Sequence, residues 1–317
     1  MITFGPVPSR RLGRSLGINN IPPKHCSYSC VYCQVGRTTQ MQIQRQDFYG
    51  CQEVYDEVAE KVKQARQEEI KIDYLAFVPD GEPTLDINLG KHIEHLKLLG
   101  VKIAVISNAS LIGQEDVRSD LCRADLVSLK IDAISEDVWR KIDRPYRSLE
   151  ICRILQGITE FSDLYKGELI TETMLIGNIN DMAKEIEKIA CFIEGIKPSK
   201  SYISIPIRPP AEKRIKPSGG QAVNAAYWIF KEKNIDVECL LGYEGNDFDR
   251  TGDAEQDLLG IISVHPMRED AVRDFLTKAG EEWNLIEKLI RDKKLVEVGY
   301  EGIKFYTRKF PDKASSL

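Results

Sequence analysis

Cys26-Ser27-Tyr28-Ser29-Cys30-Val31-Tyr32-Cys33 is the stretch on which the reading of this chain turns. Three residues separate the first two cysteines and two separate the second pair. Thiolate is a soft ligand that suits zinc and iron–sulfur clusters. Three thiolates this close can wrap one cluster, but they leave one iron of a four-iron cluster without a cysteine. An open position marks a reactive metal, by the same logic that separates catalytic from structural zinc. Two other readings stand beside this one: a structural zinc site with His25 as fourth ligand, or thiols kept for packing.

The surroundings of the loop are basic. Residues 1–46 contain Arg10, Arg11, Arg14, Lys24, Arg37 and Arg45 and no Asp or Glu, in a chain whose net charge is −5. Such a segment suits an anionic substrate or a bound carboxylate, or else a solvated surface. The acidic overall balance argues against general nucleic-acid binding. Cys51, Cys122, Cys152, Cys191 and Cys239 are scattered, several of them in apolar patterns. There a free cysteine behaves as a small hydrophobe, so we expect a reducing cytoplasm. With 317 residues, 42% hydrophobic and 29% charged, the composition is that of a globular protein with a large core. No apolar run approaches the roughly 20 residues that span a bilayer, and the N-terminus has no basic-then-apolar secretion pattern. The expectation is a protein without a membrane partner.

Going along the chain, a short first strand precedes the cysteine loop, and a helix over 53–69 places Val54, Val58, Val62 and Ala65 on one face. Strands are then expected at Ile72–Val78, Val101–Ile106, Asp125–Ile131, Glu168–Ile176, Ser201–Ile207 and Ile235–Leu241. Helices are expected between them at 86–99, 113–123, 147–162, 181–194 and 219–233. Alternation of this kind implies βαβ units and a parallel sheet. Six to seven repeats make a full or partial barrel, whose active site lies at the C-terminal ends of the strands. Residues 206–217, proline-rich and basic, follow a strand end and form either a lid or a plain connection. A boundary falls near 244–254, giving domains of 1–243 and 254–317. Helices at 254–262, 269–278 and 281–293 and a hairpin at 295–308 give the second part a winged-helix-like pattern.

Polar groups at strand ends are the candidate site. Asp80-Gly81-Glu82-Pro83-Thr84 follows the second strand, where a carboxylate and free carbonyls can accept hydrogen bonds from an ammonium. Glycine there allows close backbone approach. Ser107 and Asn108 end the next strand and either touch a ligand or cap the following helix. Ser128, Lys130 and Asp132 share one strand face. Polar groups pointing into a barrel are costly unless paired or ligand-bound, and a mutual Lys130–Asp132 ion pair is the alternative to a ligand. Glu172 on the fifth strand and Arg144 on the loop after the fourth complete the substrate-facing candidates. His92 and His95 are assigned to surface or packing.

The spacing Cys26-x3-Cys30-x2-Cys33, the aromatic Tyr32 before the last cysteine and the turn Gly81-Glu82-Pro83-Thr84 resemble the radical S-adenosyl-L-methionine (SAM) superfamily. The resemblance covers roughly residues 1–243 and implies a partial (β/α)6-type radical SAM barrel. It implies that Cys26, Cys30 and Cys33 bind a 4Fe-4S cluster whose unique iron is chelated by SAM. Reductive cleavage then yields a 5′-deoxyadenosyl radical that abstracts a hydrogen atom from substrate. On that scaffold Gly81, Glu82, Pro83, Thr84, Ser107, Asn108, Ser128 and Lys130 are the expected SAM-binding residues, and Lys130, Asp132, Arg144 and Glu172, the last two from their positions at strand ends, the expected catalytic ones. It also implies a low-potential electron donor such as ferredoxin or flavodoxin. Gly81-Glu82-Pro83-Thr84 and the 125–132 strand look like those of glycyl-radical-enzyme activases and tRNA wyosine-base synthases. The runs Pro8-Ser9-Arg10-Arg11-Leu12-Gly13 and Cys33-Gln34-Val35-Gly36-Arg37-Thr38 are similar to small proteins grouped near the latter. No cysteine precedes Cys26, unlike the wyosine synthases, and the activases lack a winged-helix unit.

Between 266 and 317 there are 11 basic and 10 acidic residues, and the helix that would read a DNA groove begins Glu281-Glu282-Trp283. Acids there repel phosphate, so sequence-specific DNA is not the expected partner. A peptide, protein or RNA substrate is favoured over a small anionic metabolite, and a cluster- or zinc-dependent regulator with a DNA-binding tail is the non-enzymatic alternative.

Overall fold

The computed structural model describes residues 2–242, 245, 246, 248 and 253–308. The expected boundary at 244–254 therefore lies largely outside the described residues. The chain opens with β1 (Thr3–Ser9) and β2 (Gly13–Ile18), and β3 (His25–Cys26) and β4 (Gln40–Met41) bracket the cysteine loop. There follow α1 (Cys51–Gln67), β5 (Tyr74–Phe77), α2 (Leu89–Lys97), β6 (Lys102–Ser107), α3 (Glu115–Leu121), β7 (Leu126–Lys130), α4 (Glu136–Ile142) and α5 (Ile151–Leu164). Next come β8 (Glu168–Met174), α6 (Ala183–Ile196), β9 (Lys200–Ser204), α7 (Gly220–Glu232) and β10 (Val237–Leu240). The last elements are α8 (Ala254–Val264), β11 (Met267–Arg268), α9 (Glu269–Ala279), α10 (Asn284–Arg291), β12 (Leu295–Tyr300) and β13 (Ile303–Arg308).

An 8-stranded sheet runs β1-β2-β5-β6-β7-β8-β9-β10. Every neighbouring pair is parallel except β1 with β2. Side chains alternate across its two faces as strand geometry demands. Leu75, Phe77, Ile103, Val105, Val127, Leu129 and Ile203 face outward into the main core, where Val54, Val58 and Val62 of α1 meet them. The inner face carries Ala76, Ala104, Leu126, Ile170, Tyr202 and Leu240, gathered with Leu12 into a separate cluster. Six neighbouring strands contribute to that one cluster, as a sheet curled around Leu12 allows. The result is an open half-barrel with helices on its outside. Alanine at two of the inner positions leaves space above the floor that Leu12 forms.

The single opening strand expected from sequence is instead a hairpin. Pro6 and Pro8 in β1 interrupt the alternation that would have marked it, and its register shifts between Phe4 and Val7. The hairpin turn inserts Leu12 against the inner face. Helix α4 also escaped the sequence reading, being only 7 residues long. The helix expected over 281–293 starts at Asn284, so Glu281 and Glu282 precede it.

The C-terminal elements form a 3-stranded antiparallel sheet, β11-β13-β12, with α8, α9 and α10. Their apolar cluster, with Phe275, Leu258 and Tyr306, also takes in Phe4 and Val7 of β1. They therefore pack on the hairpin edge of the half-barrel. Tyr300 donates to the Pro206 carbonyl (3.2 Å) and Gln34 donates to the Val264 carbonyl (3.2 Å), tying this unit to the strand ends and to the cysteine loop. Among the described residues no helix is long and apolar enough to cross a membrane.

Arg45 fixes the chain leaving the loop. Its nearly buried guanidinium donates to the Thr84 and Asp86 carbonyls and pairs with Asp116 and Asp120. We expect Arg45→Ala to cost about 3 kcal/mol of unfolding free energy, because it strands buried acceptors and the partly buried Asp120; urea denaturation measures it.

Candidate active site

The cysteine loop contains little regular structure, and its backbone is held from outside. Ser29 donates its N–H to the Asp143 carbonyl (3.0 Å), Val31 to the Ile142 carbonyl (2.9 Å), and Tyr146 donates to the Ser27 carbonyl (2.8 Å). The carbonyls at the C-terminal end of α4, which have no partner within the helix, thus serve the loop. Tyr28 and Val31 plug into the main core, and Trp139 donates its indole N–H to the Tyr28 hydroxyl (3.1 Å).

From the other side, the turn after β5 pins the start of the loop. Glu82 N–H donates to the His25 carbonyl (3.0 Å) and Lys24 N–H to the Asp80 carbonyl (2.7 Å). Gly81 packs so closely that a Cβ would collide with the His25 carbonyl oxygen. His25 turns its ring toward the Pro22 carbonyl (3.2 Å) and the edge of Phe48.

These contacts bring Cys26, Cys30 and Cys33 to one cavity of about 350 Å³, with Gly81, Glu172, Ser204, Arg10 and Arg11 also in its wall. Burial, and then Glu82, push the Cys26 thiol up to about 12, and burial and Asp143 hold Cys30 well above its ordinary value. Such thiols keep their protons unless a cation takes the proton's place, as iron does. Asn108 Nδ2 also donates to Cys26 Sγ (3.5 Å) and to Ser27 Oγ (3.0 Å). Three sulfurs that open on one cavity suit a group that binds each at a separate atom. The donor set fits a cluster.

Glu82 is buried and already occupied. It accepts from Ser107 Oγ (2.8 Å), Thr84 Oγ1 (2.6 Å), Thr84 N (3.1 Å) and Asn108 N (2.7 Å). It braces the end of β5 to the end of β6, and Pro83 receives a bond from Asn20 Nδ2 at 3.0 Å. Ser128 Oγ is buried with no hydrogen-bond partner among the described residues.

The inner charges form one network. Lys130 and Glu172 stand opposite each other across β7 and β8, 3.4 Å apart, and Lys130 lies 3.6 Å from Asp132 and over the Tyr32 ring. Tyr32 donates its hydroxyl to Asp132, which also accepts from Met174 N (2.7 Å). Arg11 pairs with Glu172, and Ser204 Oγ donates to it at 2.7 Å. Burial works to raise the Glu172 carboxyl, but Arg11 and Lys130 overcome it and hold the group at about 2. Asp143 is pushed well up, first by burial and then by neighbouring Asp132.

Arg144 is placed elsewhere. It pairs with Glu212 (2.6 Å), as does Arg37 (2.7 Å), strapping the 206–217 loop over the cysteine loop. His92 is buried against Asp86 at 3.1 Å, a packing role. Sequence reasoning missed Arg11 as the partner of Glu172, Ser204, and the wall formed by Arg208 and His265. The adjacent Arg10-Arg11 in an acid-free segment was the available signal.

A half-barrel with a three-cysteine loop at its strand ends defines an iron–sulfur enzyme scaffold. Residues 20–192 match the family model of the Radical SAM superfamily, and the chain belongs to that superfamily, whose members use a 4Fe-4S cluster and SAM. Over its whole length it is 47% identical to the UPF0026 protein MJ1312 of Methanocaldococcus jannaschii, covering 98% of that protein. It is 34% identical over 231 residues to a UPF0026 protein of Helicobacter pylori, covering 72% of this chain and 73% of that one. In fold it is similar to TYW1 with a lysine-pyruvate adduct bound (TM-score 0.55, 18% identity, 69% of this chain and 73% of that one). It is also similar to SuiB of Streptococcus suis bound to S-adenosylmethionine (TM-score 0.52, 11% identity, 70% of this chain and 49% of that one).

Two outcomes follow from this geometry. Gly81→Ala should force the turn off the loop and lower both thermal stability and iron incorporation, read by calorimetry and iron assay. Arg11→Gln should destabilise the fold by about 2 kcal/mol at pH 7. That difference is present in full above the unfolded carboxylate value of ~4.3. It shrinks as pH falls toward the folded value of about 2, where Glu172 protonates; denaturant unfolding across pH checks the sign.

Proposed function

We propose that the protein reductively cleaves SAM at a single 4Fe-4S cluster held by Cys26, Cys30 and Cys33, and uses the product to take a hydrogen atom from a substrate in the half-barrel. The observation that carries this reading is the convergence on one cavity of the three thiols, Gly81, and Glu172 with its partners Arg11 and Ser204; Lys130 and Asp132 sit behind Glu172 and line a separate small cavity with Asn108. When bound, the cluster and SAM supply an electron and a 5′-deoxyadenosyl radical, chemistry that side chains cannot provide.

The chain's own residues bind and orient. Gly81, Pro83, Thr84, Ser107, Asn108, Ser128 and Lys130 are the proposed SAM contacts. Glu82 reaches an ammonium only by exchanging one of its present donors. Lys130, Asp132 and Glu172 are proposed to face the substrate, and the unpartnered Ser128 hydroxyl is a donor in waiting. Arg144 acts at one remove, by holding Glu212 and the strap over the loop.

Residues 1–243 are proposed as the barrel domain and 254–317 as a winged-helix-like domain serving as a wall of the site. Support comes from Val264 and His265, which line the cavity, and from Arg308, which pairs with Asp80. That use leaves the DNA-binding regulator without a supporting contact. Solved relatives in fold include SuiB bound to precursor peptide SuiA and TYW1. A peptide, protein or RNA substrate would present one residue or base into this cavity, whose walls come from the β1–β2 turn, residues 204–208 and residues 264–265. A ferredoxin or flavodoxin in the cytoplasm is the proposed electron source.

Anaerobic reconstitution tests the reading. We expect about four irons per chain and 5′-deoxyadenosine from SAM and dithionite. Alanine at Cys26, Cys30 or Cys33 should abolish both, and Cys122→Ala should leave both intact. Zinc in the site with no 5′-deoxyadenosine would sink the proposal.

A further inference from the structure

The cavity wall carries four cationic side chains, Arg10, Arg11, Lys24 and Arg208, and two carboxylates, Asp80 and Glu172. Three of the cations are engaged. Arg11 pairs with Glu172, and Lys24 lies 3.2 Å from Asp80. Arg208 donates to the Pro266 carbonyl (3.2 Å) and to Gln34 (3.2 Å) and meets His265 Nε2 at 2.6 Å. Arg10 is different. Among the described residues its buried Nε has no hydrogen-bond partner and no carboxylate is paired with it. A guanidinium cannot lose its charge to relieve that state, and a partly buried unpaired cation is costly.

Its position separates it from the cluster. Arg10 sits in the Ser9–Gly13 turn, whose Leu12 packs on the inner face with Ala76, Ala104 and Ile170. From that turn β2 (Gly13–Ile18) runs toward the cysteine loop, parallel to the neighbouring β5 (Tyr74–Phe77), whose C-terminal end leads into the Gly81 turn that pins the loop. The turn thus lies about one strand length, at ~3.3 Å per residue, from the cysteine loop that would hold the cluster.

Resting on the radical SAM reading of this cavity, we infer that Arg10 anchors an oxyanion of the substrate, a carboxylate or a phosphate, at the end of the cavity remote from the cluster. The substrate is thereby held by its anionic end with the rest directed toward the loop. A planar guanidinium suits both oxyanions through paired N–H donors.

The test uses reconstituted holoenzyme with SAM present, titrated calorimetrically with inorganic phosphate and with succinate at matched ionic strength. We expect one or both to bind, and Arg10→Met to weaken that binding about tenfold, the scale of a lost charge-assisted pair. Arg10→Lys should retain part of it, and Arg153→Ala, on the surface, all of it. Tighter binding of phosphate marks a phosphorylated substrate and of succinate a carboxylic acid; either supports the inference. Equal anion affinity in the parent and Arg10→Met proteins overturns it, as does failure of both anions to bind the parent. A parallel loss of SAM affinity in Arg10→Met also overturns it, because the guanidinium would then serve SAM. Should Arg10→Met unfold, Arg10→Gln carries the comparison. Failure of the parent protein to release 5′-deoxyadenosine removes the enzyme reading itself, whereas release with no Arg10 effect removes only this inference.

Discussion

A loop that carries buried peptide groups must find hydrogen-bond partners for them, and here that requirement organises the site. The cysteine loop has only the two-residue β3–β4 ladder of its own. Beyond two turn bonds of its own, from Cys33 N to the Cys30 carbonyl and from Gly36 N to the Cys33 carbonyl, its backbone is served by residues 142–146, by the turn at 79–82 and by Glu212 N, which donates to the Val31 carbonyl. Three pieces of chain far apart in sequence, residues 142–146, residues 79–82 and Glu212, therefore meet at the loop. The thiols take their positions from that meeting and do not depend on a rigid local motif. The same arrangement explains why a glycine stands at 81, where the two backbones run closest.

The two faces of the sheet are built on opposite principles. Outward, large branched and aromatic side chains close-pack under the helices and supply the apolar burial that stabilises the fold. Inward, Ala76 and Ala104 are small, Leu12 packs among them, and a few charged side chains interrupt a cavity wall that is otherwise largely apolar. Charges there persist because they are paired: Lys130 between Asp132 and Glu172, and Glu172 again with Arg11. A network of this kind contributes little net stability over an apolar core, yet breaking one member is expensive. It fixes the positions of polar groups in a space otherwise shielded from water.

Much of this was legible in the chain itself. The period-2 and period-3.6 patterns located the six parallel strands from β5 to β10 and most helices, because those elements are buried on a definite face. Cysteine spacing marked the loop, and the alternation expected of Ser128, Lys130 and Asp132 holds for the first two, since β7 ends at Lys130 and Asp132 follows it. What stayed hidden depends on distance along the chain. Arg11 and Glu172 are 161 residues apart, so no local pattern couples them. Glu82 read as an open carboxylate, since its four donors become neighbours only when β5 and β6 align. The β1 strand was obscured by its two prolines and α4 by its brevity.

Asp80, beside the Gly81 turn, is gripped by Arg308 at the end of β13, 228 residues later. This has a bearing on the order of assembly during synthesis. The barrel strands and the cysteine loop emerge from the ribosome first, and the arginine that clamps the turn emerges after them. Until then the cavity lacks the wall from Val264 and His265 and the clamp on Asp80. The flank of the cavity beside the cysteine loop is thus the last part of the site that synthesis can close, and its closure depends on residues that come after every barrel strand.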